Sequence, residues 1–335
     1  MVISRTPFRI SFFGGGTDYP AWYRGNRGAV LATTINKYCY VSCRYLPPFF
    51  EHRSRVIYSK MEQVKENSEI QHPSVRACLE YMKVSEGVEI HHDGDLPART
   101  GLGSSSSFTV GLLNALGALR GEIVSKMDLA QKAIFVEQEL LRENVGSQDQ
   151  VSAAFGGFNL IEFNGDHKFK VQPITIGQER IDTLQDNLLL FFTGFSRYAS
   201  EIAGEQIRKI PDNKKELKEM FDMVGEAIRI LERRADIRRF GRLLHESWQL
   251  KRRLSTLITT QAIDQIYSEA IRAGAAGGKL LGAGGGGFML FFAEPGKHKK
   301  IRERLKKLLY VPFKFEDFGS QVIFYEPSGS LVKSR

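Results

Sequence analysis

The stretch LLGAGGGGFMLFF, Leu280–Phe292, decides between two folds. Gly282, Gly284 and Gly287 satisfy G-x-G-x-x-G, the formal fingerprint of a dinucleotide site. That fingerprint needs a strand before it and a helix after it, because the helix N-terminus holds the pyrophosphate. Here Phe288–Phe292 follows instead, a short unbroken apolar run of the kind that forms a buried strand. The next region is rich in Lys and Arg, so an acidic ribose partner about 20 residues on is hard to find. These glycines join two strands, and a nicotinamide site is not expected.

Two other glycine-rich segments precede it, PFRISFFGGGTDYPAWY (Pro7–Tyr23) and LPARTGLGSSSSFTV (Leu96–Val110). In the second, Gly101 and Gly103 let backbone N–H groups approach a ligand closely. Ser104, Ser105, Ser106 and Ser107 open an apolar helical run, and a helix N-terminus presents free donors and partial positive charge to an anion. Serine hydroxyls add donors for phosphate oxygens, or a hard oxygen for Mg²⁺. This reads as a phosphate site. It is not a Walker A loop, since G-x4-G-K-[ST] is absent here and GAAGGKLL around Lys279 also fails the pattern. Phosphoryl transfer further requires a metal carboxylate and a group that positions the acceptor hydroxyl. VEQELLRENVGSQDQ supplies candidates: Glu137 and Glu139 on a helix, and Asp149 in a Gly-containing loop.

The order PFRISFFGGGTD, LPARTGLGSSSS, VGSQDQ, KLLGAGGGGF resembles the GHMP kinases along nearly the whole chain. The resemblance implies an α+β chain of two domains: an N-terminal one with a left-handed βαβ unit, and a ferredoxin-like C-terminal one. These would span residues 1–168 and 169–335, with ATP and substrate meeting between them. It makes Gly101, Gly103, Ser104, Ser105 and Ser106 the ATP phosphate loop, and Ser105 with Glu137 the Mg²⁺ ligands, Glu139 being a substitute for Glu137. Asp149 matches the catalytic aspartate and Arg9 the arginine near the transferred phosphoryl group. Asp18 matches the sugar-binding aspartate, with Gly15, Gly16 and Thr17 beside it, and Gly284 and Gly285 would support substrate from the third motif.

Within the family, RTPFRISFFGGGTDYPAWY, LATTINKYCYV and GSQDQVSAAFGGFN look most like the kinases of D-glycero-D-manno-heptose 7-phosphate, which phosphorylate the anomeric 1-hydroxyl. Another sugar 1-kinase, or a non-catalytic sugar and ATP sensor, are the competing readings. Arg24, Arg27 and Arg197 are candidates for the distal phosphate by charge. Oligomeric state stays open.

Composition agrees. The chain has 335 residues, 42% hydrophobic and 25% charged, as for a soluble globular protein. MVISRTPFRISFF lacks a signal-peptide pattern, and a cytoplasmic location is expected. The three cysteines cannot make a disulfide framework. His91 and His92, adjacent on a strand, should point to opposite faces and not share a metal. The net charge of +9 suits a phosphorylated small molecule and ATP. Without a nucleic-acid motif or a membrane-length apolar run, neither of those is expected as a partner. The basic stretch from Arg233 to Leu254 and the KHKKIRERLKK run are expected to be solvated helix faces.

Overall fold

The computed structural model describes residues 1–98, 100–165, 168–194, 199–232 and 235–327. Its first half contains β1 (Val2–Phe13), α1 (Pro20–Tyr23), β2 (Gly28–Tyr45), β3 (Ser54–Ile57), β4 (Met61–Val64), α2 (Pro73–Tyr81) and β5 (Val88–Gly94). Helices α3 (Ser104–Leu119), α4 (Lys126–Phe135) and α5 (Gln148–Phe155) follow, then β6 (Phe158–Asn164) and β7 (Lys168–Pro173). The second half runs through α6 (Gln178–Asp186), β8 (Leu188–Phe192), α7 (Ala199–Arg208), α8 (Lys214–Glu232), α9 (Arg238–Arg253) and α10 (Gln261–Ala273). It ends with β9 (Gly277–Leu280), β10 (Phe288–Phe292), α11 (Pro295–Arg304), β11 (Leu309–Tyr310), β12 (Phe315–Glu316) and β13 (Gln321–Tyr325).

The strands make two sheets. One has the order β13-β1-β2-β5-β3-β4, with β12 and the β6–β7 hairpin also joined through β2; the other is β11-β8-β10-β9. β2 serves two partners in turn: Gly28–Thr33 pairs with β6, and Cys39–Tyr45 pairs with β5. The switch falls where the β1–β2 register slips between Pro7 and Phe8. Proline has no N–H to give the ladder, so a bulge there sacrifices little.

The fold is the expected α+β one, and β9, the glycine loop and β10 form the predicted strand–loop–strand. Strands from beyond residue 168, the expected boundary, also join the first sheet. That boundary falls at the start of β7, inside the first sheet, and β12 and β13 return to that sheet near the chain's end. Hydrogen-bond pairing is invisible in a linear pattern: among the described residues, the outer edge of β1 is filled by β13.

The core runs through both halves. From Thr6 onward every residue of β1 is buried, because helices from both halves pack on it. Phe12 and Phe13 meet Phe240 of α9 edge-on, with ring centroids 5.5 and 5.1 Å apart, a geometry aromatic pairs favour. Thus the strand carrying Arg9 is clamped between the two halves.

Candidate active site

The glycine–serine loop enters α3 through Gly103, whose φ of +76° is one an L side chain rarely adopts. Directly beneath lies Arg9. Its Nε donates to Asp149 Oδ1 at 2.8 Å and its Nη2 to Asp149 Oδ2 at 2.9 Å, a two-pronged pair. Its Nη1 donates to the Gly101 carbonyl at 2.7 Å, and its backbone N–H to the Leu102 carbonyl at 3.0 Å. One arginine therefore binds the expected phosphate loop to the expected catalytic carboxylate. Arg9 is almost fully enclosed, whereas the Asp149 side chain keeps 17% of its surface open.

Asp149 is not in a loop, contrary to expectation. It occupies the first turn of α5, a helix of only 8 residues. Val151, Ala153 and Ala154 bury that helix, but its shortness leaves too little periodicity to read.

Asp18 is buried, and burial above all pushes its carboxyl above the usual carboxylate range; the Gly16 N–H, donating to Oδ1 at 2.9 Å, pulls the other way, while the nearby Asp149 adds to the rise. Gly146 backs it so closely that a Cβ there would stand 1.9 Å from Asp18 Oδ2. The sequence reading passed over Gly146, although GSQDQ contains the signal of a glycine just before the aspartate. Thr17 was expected at the substrate. It is fully buried, and its hydroxyl is used within the loop, donating to Gly14 and Ala29 carbonyls at 2.8 and 3.0 Å and accepting from the Ala29 N–H at 3.1 Å. Its role here is to close the GGGTD turn.

Glu137 sits where α4 widens into one π turn, closed by the Leu141 N–H on the Val136 carbonyl at 2.9 Å. It is wholly buried. Ser106 Oγ donates to its Oε2 at 2.7 Å and Gln150 Nε2 donates to the same oxygen, while Oε1 has no hydrogen-bond partner. Burial raises its carboxyl to about 7, helped by Glu143 and opposed first by the Ser106 hydrogen bond. The serine beside Glu137 is thus Ser106, where Ser105 had been expected; Ser105 is exposed. A helix turns about 100° per residue, so adjacent serines cannot both face one carboxylate. Glu139 is exposed, which separates it from Glu137. An orphaned, buried carboxylate oxygen beside hydroxyls is a hard-oxygen donor set that fits Mg²⁺.

The third glycine loop lies on the second. A Cβ on Gly282 would come within 2.4 Å of Gly101 Cα, and one on Gly287 within 2.1 Å of the Thr100 carbonyl oxygen. Only bare backbones pack this tightly. Gly284 and Gly285 instead touch Ile258, Gly285 N donating to its carbonyl at 2.9 Å. They shape the loop, and Gly282 and Gly287 make its contact with the phosphate loop.

Two lysines were missed. Lys279 Nζ donates to the Phe12 carbonyl at 2.8 Å, and Lys251 Nζ donates to the Gly282 carbonyl; both are buried. The stretch around Lys251 was expected to be a solvated face. Arg238, Arg239, Arg242 and Arg253 are exposed as expected. Lys251 departs because Phe240, Leu244, Ser247 and Lys251 share one buried stripe of α9 at helical spacing. That spacing was the readable signal. Burial, and then repulsion from Arg9, lower the Lys251 ammonium to about 8. Burial and then Lys251 lower Lys279 well below its usual range.

Of the arginines, Arg27 is engaged at the surface by Glu162 at 3.1 Å, Arg24 is exposed, and Arg197 lies outside the described residues. His91 meets Glu89 at 3.1 Å and His92 packs on Phe108 at 4.7 Å, as residues on opposite strand faces do. No helix among the described residues is long and apolar enough to cross a membrane.

Comparison with known proteins places this geometry. The family described as GHMP kinases N terminal domain matches residues 72–157, and GHMP kinases C terminal matches residues 226–311. The chain is 30% identical to the D-glycero-alpha-D-manno-heptose 7-phosphate kinase of Campylobacter jejuni, over 91% of this chain and 93% of that one. It is 27% identical to the galactokinase of Pyrococcus furiosus, over 93% and 94%. Among solved structures, a D-glycero-D-manno-heptose 1-phosphate kinase from Bacteroides thetaiotaomicron shares the fold with a TM-score of 0.77 at 24% identity, covering 97% of this chain and all (100%) of that one.

Proposed function

The chain belongs to the GHMP kinase family and is a sugar kinase, and on that footing we propose that it transfers the γ-phosphoryl group of ATP to the anomeric 1-hydroxyl of D-glycero-D-manno-heptose 7-phosphate. The observation that carries the reading is the Arg9 guanidinium, shared between Asp149 and the Gly101 carbonyl of the phosphate loop. It holds the group that meets the acceptor at a fixed place beside the group that meets ATP, and positioning is most of what phosphoryl transfer asks of a protein.

In this reading Gly101, Gly103, Ser104, Ser105 and Ser106 receive the phosphates at the start of α3. Glu137 and Ser106 would hold Mg²⁺, which when bound draws charge from the phosphate oxygens. Asp18 binds a sugar hydroxyl. Asp149 accepts a hydrogen bond from the anomeric hydroxyl. Both of its oxygens already serve Arg9, and the loose transition state needs little base strength, so Asp149 acts chiefly by orienting the hydroxyl. The basic excess suits a substrate that carries its own phosphate. The relative at 30% identity, a heptose 7-phosphate kinase, supports that choice of sugar.

A coupled ADP-release assay over heptose 7-phosphate, fucose, galactose and mevalonate tests it. The expected result is the highest kcat/KM on heptose 7-phosphate. A higher value on an unphosphorylated sugar overturns the heptose assignment and leaves another sugar 1-kinase in its place.

A further inference from the structure

Five charged groups meet where the two halves touch: Arg9 of β1, Asp18 after it, Asp149 of α5, Lys251 of α9 and Lys279 of β9, all buried apart from the partly open Asp149. Three are cations and two are carboxylates. Arg9 and Asp149 neutralise each other. Neither lysine has a carboxylate partner among the described residues; each spends one donor on a backbone carbonyl. Asp18 lies close enough to act on both lysines but makes an ion pair with neither among the described residues, and burying an ammonium without a contacting carboxylate costs several kcal/mol. A neutral donor would hold the Gly282 carbonyl as well and at less expense, so holding that carbonyl does not account for Lys251.

The position of Lys251 says which anion would offset the charge. It grips Gly282, Gly282 lies against Gly101, and the Gly101 carbonyl accepts from Arg9, which holds Asp149. The ammonium therefore stands at the junction of the phosphate loop and the acceptor carboxylate. A sugar's distal phosphate is held several carbon atoms away from the reacting hydroxyl, and the phosphoryl group in flight is at this junction. Lys279 is placed otherwise: its ammonium is tied to β1 through Phe12 and braces the two halves.

We propose that Lys251 is a further catalytic residue, a cation brought from the C-terminal half that contacts the transferred phosphoryl group opposite Arg9. This rests on the kinase reading and not on the identity of the sugar. In the step, the acceptor oxygen bonds to the γ-phosphorus as the bond to the β–γ bridging oxygen breaks, and ADP leaves with that electron pair. The acceptor's proton passes late to a phosphoryl oxygen. Lys251 remains an ammonium throughout, neutralising charge on the equatorial oxygens, where a fixed donor is worth most.

The test uses Lys251→Gln, which removes the charge but keeps an N–H donor on a slightly shorter side chain, and Lys251→Arg, which keeps the charge. Both are assayed with whichever sugar the wild type turns over fastest, so a wrong sugar assignment is seen first and separately. Lys251→Gln should lower kcat about 10²–10³-fold, the usual effect of removing one transition-state donor, with ADP affinity within about threefold of wild type. Lys251→Arg should recover at least about tenfold of that loss. Titration of ADP with aluminium fluoride and sugar, a mimic of the phosphoryl group in transfer, should show the tightening seen in wild type lost in Lys251→Gln. Wild-type kcat in Lys251→Gln, or full tightening by aluminium fluoride, overturns the proposal. So does a defect confined to the KM of phosphorylated sugars, which would place Lys251 at the distal phosphate. If Lys251→Gln does not fold, Lys251→Met carries the same comparisons, and the fluoride titration of Lys251→Arg decides whether the charge is what matters.

Discussion

Ser106 donates to Glu137 across 31 residues of sequence at 2.7 Å, and in doing so ties the first turn of α3 to the π turn that ends α4. The other carboxylate oxygen is left bare in a buried site. Such a carboxyl resists ionising until a cation arrives, and its value of about 7, against an ordinary 4.5, expresses that. Mg²⁺ requires the ionised form. Half-activating Mg²⁺ should therefore rise as pH falls below about 7, approaching tenfold per unit, in steady-state titrations from pH 5.5 to 8. A flat profile would remove Glu137 from the metal.

The same group sets a stability trend in metal-free protein. Its folded value is raised above the unfolded one, so its contribution is fully present below about 4.5 and is lost as pH rises towards about 7. Glu137→Gln cannot ionise. It should melt like wild type near pH 4 and be more stable by about 3 kcal/mol at pH 8, while losing Mg²⁺-dependent turnover. Melting curves with a chelator present measure the first effect.

Asp149→Asn preserves shape and removes charge. Loss of the oriented acceptor contact should lower kcat by about 10²–10⁴-fold, with ADP affinity retained because the loop backbone is untouched. The variant also strands the buried Arg9, and breaking such a pair costs about 3–5 kcal/mol. A lower melting temperature should accompany the kinetic defect. Lost ADP binding in a folded variant would mean that Asp149 serves the nucleotide and not the acceptor.

Gly146→Ala would push a methyl into Asp18 Oδ2, which is 1.9 Å from an ideal Cβ. The carboxylate must move, and in the proposed reading it binds the sugar. KM for the sugar should rise about tenfold or more while ADP affinity holds, since a displacement of about 1 Å can cost a hundredfold. Calorimetric titration with sugar and with ADP separates the two.

Salt offers a test without mutation. A phosphorylated sugar drawn by a chain of net charge +9 should lose kcat/KM as ionic strength rises from about 0.05 to 0.5 M, more steeply than an uncharged sugar does. Equal slopes would argue against a charged substrate.

The sequence made the glycine loops, β1, β2 and the long helices readable because each has either an unbroken run or a clear period. Motif order singled out Arg9, Asp18, Glu137 and Asp149 as candidates, and the structure sets Arg9 against Asp149. What it hid was of two kinds. Short elements carry too few residues for a period, as α5 did, and so Asp149 was taken for a loop residue. Contacts set by the third dimension carry no local mark: Ser106 and not Ser105 meets Glu137 because of helix phase, Gly146 is required only because Asp18 arrives beside it, and Lys279 is notable only once Phe12 lies next to it. Lys251 was legible in principle, since its place on the Phe240–Leu244–Ser247 stripe is a matter of counting, but a run of basic residues masked it.

The pairing of Val2 with Tyr325 and Arg5 with Gln321 has a bearing on how the protein is made. On the ribosome, β1 emerges before the strand that covers its outer edge, which follows about 15–60 s later at ordinary elongation rates. Through that interval the strand bearing Arg9 presents unpaired N–H and C=O groups, the kind of edge that recruits wrong partners. A nascent chain arrested before residue 321 would hold nearly every residue of the phosphate site yet lack the seam that secures its first strand.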